Sequence, residues 1–161
     1  MTHAVIEARQ THIGPHVAHL TAEERSEIER VSGVAPRRFL RRMMAQSSYA
    51  RAGLIDSVPV ALWGVTGTLA SSSGYAWLSV TPECRARRFL TASVARAEAA
   101  AILATKSELR SAVFCDDARA MRFLRFLGFE IGEPFEECGR MSRSAVLKRP
   151  WTQLPSARSV S

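Results

Sequence analysis

Cysteine is scarce in this chain, and aromatic residues are few. The three cysteines, Cys84, Cys115 and Cys138, stand far apart. An odd, widely spaced set supplies neither a disulfide framework nor zinc-ligand spacing. Buried reduced thiols are the expectation. Aromatics make up 7% of residues, few for a nucleic-acid-binding surface, and no nucleic-acid-binding motif is present. No apolar run approaches the ~18 residues that a membrane span needs. The opening stretch, MTHAVIEARQ, has no apolar region of the signal-peptide kind. A cytoplasmic location is expected.

What is present fits one globular domain. The chain has 161 residues, 47% of them hydrophobic, enough to bury a core without disulfides or metal. The formal net charge is +7, almost all of the positive side being arginine. That balance favours acidic partners, and guanidinium forks suit phosphate.

Residues 4–13 mix β-branched and polar residues and read as a first strand. Thr21 and Glu24 have capping-box spacing at the start of a helix that Gly33 ends. A second helix begins at Pro36, with Phe39, Leu40, Met43 and Met44 on an apolar face. Arg37, Arg38, Arg41 and Arg42 form the opposite, solvated face. Asp56-Ser57 is a turn between two strands, and the nearly all-apolar stretch 58–65 reads as a central strand. YAWLSV is another strand, with Trp63 and Trp77 as core residues. Residues 85–105 read as a helix with Leu90, Val94, Ala97 and Ala101 at core spacing. LRSAVF is a strand. DDARAMRFLRFLG is a helix with Ala120, Leu124 and Leu127 inward and Gly128 as its stop. FEIGEPF and RMSRSAVLKR form a last antiparallel pair. The expected architecture is α/β (α+β): one domain over residues 1–150, with a mixed, mainly antiparallel sheet flanked by helices. Residues 151–161 have the composition of a loose tail.

Two local patterns in this order resemble the GCN5-related N-acetyltransferase (GNAT) superfamily. The first is V-x-P after a strand, followed by Gln or Arg, then a glycine-rich entry into a helix. Val80, Pro82 and Arg85 match it; Arg88 and Leu90 stand where the glycine and the last small residue belong. The second is the C-terminal signature. Ala120, Gly128 and Phe129 match it, Asp117 replaces its asparagine, Phe123 its leucine and Leu124 its tyrosine. A narrower resemblance is to short phage-encoded acetyltransferase-like proteins of the internal virion protein type. Trp63-Gly64, AWLSVTP, RRFLTAS and RFLRFLGF carry it.

The resemblance implies acetyl transfer from acetyl-CoA to an amine. It places the cofactor along Leu78, Ser79 and Val80, within a splayed strand from Trp77 to Thr81. Its pyrophosphate would lie near Arg85, Arg87, Arg88 and Phe89. Glycine lets backbone approach a phosphate without a Cβ in the way; here guanidinium forks would stand in for bare amides. Leu124 cannot donate a proton as the superfamily's tyrosine does. Ser79, Thr81 and Cys115 are other donors. Glu83, Asp116 and Asp117 are candidate bases, Asp117 also being a helix cap. His12, His16 and His19 have helical spacing, but Gly14-Pro15 is expected to break any helix there, so no metal site is expected.

Three readings follow. One is an acetyl-CoA-dependent N-acetyltransferase acting on an amine. The second is a non-catalytic, phage-derived structural or assembly protein, located in the virion, that keeps the fold. The third is a basic nucleic-acid-binding protein. No membrane partner is expected. An enzyme needs an open cleft between the strands ending at Val80 and Phe114; an assembly protein would fill it with Arg88, Leu90 and Leu124.

Overall fold

The computed structural model describes residues 1–137 and 139–150; Cys138 and the expected tail, residues 151–161, lie outside the described residues. Seven strands form one sheet in the order β1-β2-β3-β4-β5-β7-β6. The elements run β1 (His3–Glu7), α1 (Gln10–Ala18), α2 (Ala22–Ser32), α3 (Pro36–Ala45), β2 (Ser47–Ile55), β3 (Val58–Thr66) and β4 (Ser73–Val80). Then come α4 (Pro82–Ala86), α5 (Arg88–Leu103), β5 (Glu108–Phe114), α6 (Ala118–Leu127), β6 (Glu130–Glu137) and β7 (Arg140–Lys148). Every neighbouring pair is antiparallel except β4 with β5. The fold is therefore the expected mixed, mainly antiparallel sheet with helices on its faces. No helix among the described residues is long and apolar enough to cross a membrane.

Several local expectations hold. Thr21 Oγ1 accepts from the Glu24 amide while Glu24 accepts from the Thr21 amide, and Gly33 closes α2 at φ 70°. Pro36 opens α3, which buries Leu40 and exposes its four arginines. Asp56 and Ser57 both take positive φ, 46° and 68°, the geometry of a tight two-residue hairpin. Gly128 ends α6 at φ 96°.

Three expectations are corrected. Residues 4–13 are not one strand, because α1 starts at Gln10 and runs through Gly14 and Pro15. Ile13, His16 and Val17 bury their side chains from this helix. That burial outweighs the single backbone bond that Pro15 cannot donate. Residues 85–105 are not one helix: the chain breaks at Arg87 (φ −100°, ψ 51°) between α4 and α5. Ala97 and Ala101 are exposed, and Glu98, Ala99 and Ile102 face inward instead. In so alanine-rich a helix the periodicity carries little phase, and the ends of the helix set its rotation.

The two larger cores lie on opposite sides of the sheet, and a smaller one gathers Ile55, Val60, Ala61 and Cys84. α1 (Ile13, Val17), the turn after it (Leu20) and α3 (Leu40) pack onto Ala52, Leu62 and Trp77. On the other side Ile102 and Leu103 of α5, with Leu124 and Leu127 of α6, meet Val65, Leu109, Phe129 and Ala145.

Candidate functional site

The parallel pair β4–β5 is short. Ser73, Gly74 and Tyr75 pair with Glu108, Leu109 and Arg110, and the ladder stops there. The Ser111 hydroxyl reaches the Ala76 carbonyl at 3.2 Å, and beyond it the two strands part. Past that contact, Trp77 to Val80 have no β5 strand beside them, and the Val80 carbonyl accepts from Arg85 instead. The splay covers most of the stretch from Trp77 to Thr81 expected from the sequence.

The register sorts the β4 side chains. Trp77 and Ser79 face α1; Leu78 and Val80 face α5. On the α5 side lies an apolar cavity of about 180 Å³, walled by Trp63, Leu78, Val80, Leu90, Val94 and Leu124 among others. Leu90 and Leu124 line the cavity rather than fill it. Small side chains at Gly53, Ala61, Ala95 and Ala99 leave this space between helix and sheet. Glu98 is the carboxylate in its lining. It accepts from the Tyr49 hydroxyl at 2.5 Å and the Trp63 indole N–H at 3.2 Å. Burial and this carboxylate push the Tyr49 pKa up.

α5 is pinned at each end. Thr91 Oγ1 donates to the Cys84 carbonyl at 2.8 Å. Arg149 donates to the carbonyls of Leu103, Ala104 and Lys106 at 2.6–3.2 Å, which also suits the negative end of the helix. No side chain caps the first turn of α5. Its amides are the kind of donors that bind anions.

The arginines near that turn divide. Arg85 donates to the Val80 carbonyl at 3.1 Å and pairs with Glu24 of α2. Arg87 pairs with Glu83 at 2.6 Å. Arg88 is exposed, its guanidinium 5.1 Å from the Phe89 ring, and Phe89 is 81% exposed.

The carboxylates named from sequence are also engaged. Asp117 caps α6 by accepting from the Ala120 amide at 2.9 Å. Glu83 is exposed in its ion pair. Asp116 binds Arg140 at 2.7 and 2.8 Å. Arg140 also pairs with Glu27 and lies 3.9 Å over the Phe114 ring. Arg140 holds the Asp116 carboxyl below its usual pKa, and Arg30, 2.7 Å from Glu27, together with Arg140 does the same for Glu27. α2 therefore bridges the mouth of the splay, tied to the β4 side through Arg85 and to the β5 side through Arg140.

Of the candidate donors, Thr81 is buried and caps α4 through the Cys84 amide. Cys115, the thiol among these candidates, follows β5 and is half-buried; Cys84 is buried, and burial raises its thiol pKa, the character of an inert thiol. Ser79 is half-buried, with its hydroxyl 2.8 Å from His16 Nε2. His16 itself is 0% exposed, and its Nδ1 lies 3.1 Å from the Pro59 carbonyl. Sequence reasoning grouped His16 with His12 and His19 and missed this pairing, because Ser79 is 63 residues away. The three rings do not converge: His12 accepts from the Arg9 amide and His19 contacts the Pro15 carbonyl. Among the described residues no cluster of metal-binding side chains occurs.

Parted parallel strands in a seven-stranded sheet, with a helix opening beside the split, define an acetyltransferase fold of the GNAT type. No family model and no curated protein sequence matches the chain, whereas solved structures match along most of its length. The aminoglycoside acetyltransferase AAC(6')-Ib, crystallised with coenzyme A, superposes with a TM-score of 0.67 at 14% identity, over 92% of this chain and 95% of that one. A GNAT-family acetyltransferase from Bacillus anthracis gives 0.70 at 6% identity, over 92% and 95%. The PaiA N-acetyltransferase from Thermoplasma acidophilum, in complex with coenzyme A, gives 0.67 at 11%, over 92% and 100%. At such identities the likeness establishes the fold.

Proposed function

We propose that the protein transfers an acetyl group from acetyl-CoA to an amine. The observation that carries this reading is the β4 edge past Ala76, where no β5 ladder forms, beside an apolar cavity. A pantetheine arm is an extended amide chain, and an open strand edge is where such a chain pairs. Leu78, Ser79 and Val80 would hold that arm. The uncapped first turn of α5 and the free guanidinium of Arg88 would hold the pyrophosphate. Arg88 and Phe89 project to solvent and Leu90 lies in the cavity wall, so their side chains leave the edge clear. When bound, acetyl-CoA supplies the activated acyl group; this chain orients it and handles protons. Arg85 and Arg87, already in ion pairs, contribute by holding α2 and α4 beside the site.

A second reading, a non-catalytic assembly protein of phage type, is favoured by the helical turn of α4 where the family has a glycine loop. The narrower sequence resemblance supports it too, and would place the protein in the virion rather than the cytoplasm. A nucleic-acid role has the exposed arginine face of α3 in its favour.

Calorimetric titration of acetyl-CoA into the wild-type chain and Arg88→Ala tests the proposal. Micromolar binding, weakened about tenfold or more in the variant, is the expected result. No binding at millimolar cofactor removes the enzyme reading.

A further inference from the structure

Resting on the acetyl-transfer reading, we propose that Ser79 and His16 are the proton relay of this site. Ser79 is the group that touches the acceptor nitrogen and the sulfur, and His16 acts through it.

The tautomer follows from the hydrogen bonds. A carbonyl oxygen only accepts, so the 3.1 Å contact with Pro59 requires the proton on His16 Nδ1. Nε2 then carries a lone pair, and the Ser79 hydroxyl donates to it at 2.8 Å. The opposite tautomer would set two buried acceptors against each other. Ser79 is therefore a hydroxyl with a base behind it, and the base is itself oriented by a third group. Ser79 stands on β4 past the last β4–β5 pair, with its hydroxyl on the α1 face of the sheet. The other polar groups near the splay are engaged differently, and the Tyr49 hydroxyl, which does have a base behind it in Glu98, faces the α5 side of the sheet. Thr81 is a cap, and Asp116 and Glu83 are in ion pairs. The Tyr75 side chain meets the Ala112 backbone.

Charged groups around His16 agree with a base that is neutral at rest. Burial lowers its pKa first, and the nearby His19 lowers it further. The Pro59 carbonyl and Glu24 of α2 act in the opposite sense and stabilise the imidazolium once it forms. The arginines of α3, which packs beside α1, are exposed on the far face.

The step balances. As the acceptor nitrogen bonds to the acyl carbon, Ser79 Oγ takes a proton from nitrogen and passes its own to His16 Nε2. As the carbon–sulfur bond breaks, His16 returns that proton to Ser79, and Ser79 gives one to sulfur. No proton is left on the chain.

Two measurements test the relay. The first is ¹⁵N NMR of the imidazoles in the free wild-type protein and in Ser79→Ala, which loses only one half-buried hydroxyl. It should show His16 protonated on Nδ1 at neutral pH and titrating below 6.5, with an Nε2 resonance that moves in the variant. The second is steady-state acetyl transfer to spermidine, kanamycin and benzylamine, with acetyl-CoA hydrolysis as a further acceptor-free assay. Ser79→Ala should lower kcat about 10²–10⁴-fold, and Ser79→Thr should restore part of it. The acid limb of the wild-type kcat profile should coincide with the His16 titration. An Nε2-protonated His16, or a Ser79→Ala protein as active as wild type, overturns the relay alone. A wild-type protein that neither binds nor turns over acetyl-CoA overturns the acetyl-transfer reading, and the relay with it.

Discussion

The Tyr49 hydroxyl meets Glu98 at 2.5 Å, from β2 to α5 across the cavity floor. This contact, with the Trp63 indole on the same carboxylate oxygen, is a polar tie between an alanine-rich helix and a small-residue sheet face. Losing the hydroxyl removes a charge-assisted hydrogen bond in a half-buried place. Tyr49→Phe should therefore cost about 1.5–3 kcal/mol, read as a lower urea midpoint at constant slope. In a double-mutant cycle with Glu98→Ala the two losses should fall short of additive, because they share one bond. Full additivity would mean that α5 is held elsewhere.

Gly64 is a second packing constraint. A Cβ there would lie 2.6 Å from the Tyr49 carbonyl and 2.8 Å from Trp77 Nε1. The indole lies over this position and donates to Ser47 Oγ at 2.8 Å. Gly64→Ala must displace either strand backbone or a buried tryptophan. A loss of about 1–3 kcal/mol is expected, with a change in Trp77 fluorescence. An unshifted denaturation curve would contradict the close approach.

The element order was legible because caps and turns are local. Thr21, Glu24, Gly33, Asp56, Ser57 and Gly128 each mark a boundary within a few residues of sequence. The splay was legible only through resemblance, since a missing β-ladder has no sequence pattern of its own. α1 was misread because Pro15 speaks for a break, whereas burial of Ile13, His16 and Val17 decides the matter. The rotation of α5 was unreadable among its alanines. The Ser79–His16 pair joins two residues that no spacing rule connects. Only the packing of α1 on β3 and β4 brings them together.

α2 buries no residue fully, and ion pairs anchor it to both sides of the splay. Arg140 is the hub on the β5 side, between Glu27 and Asp116. Arg140→Ala should leave the sheet intact and speed hydrogen exchange in α2 several-fold. Exposed pairs are screened by salt. Raising the ionic strength from about 0.05 to about 1 M should accelerate α2 exchange in the wild type and change the variant less. Equal protection of α2 in both proteins at low salt would mean that Ile28 and its apolar neighbours hold the helix unaided.

The pH dependence of stability separates the buried histidine from the carboxylates. The His16 pKa lies below its ordinary 6.5 in the folded protein. Between the folded value and 6.5 the unfolded chain binds more protons, so stability rises with pH in that window and is lost on acidification through it. Glu27 and Asp116 have pKa values below 4.5 and 3.8. Their contributions are present above those values and fall away only in stronger acid. Thermal melts at about pH 7.5, 6 and 5 should therefore show a first decline that the carboxylates cannot cause. His16→Asn retains a side-chain donor for the Pro59 carbonyl and has no titrating ring. It should begin from a lower Tm and lose most of the decline over that interval, keeping the smaller part that His12, lowered by partial burial and Arg9, contributes. If the variant and the wild type decline in parallel from pH 7.5 to 5, the buried imidazole is not the group that acid titrates.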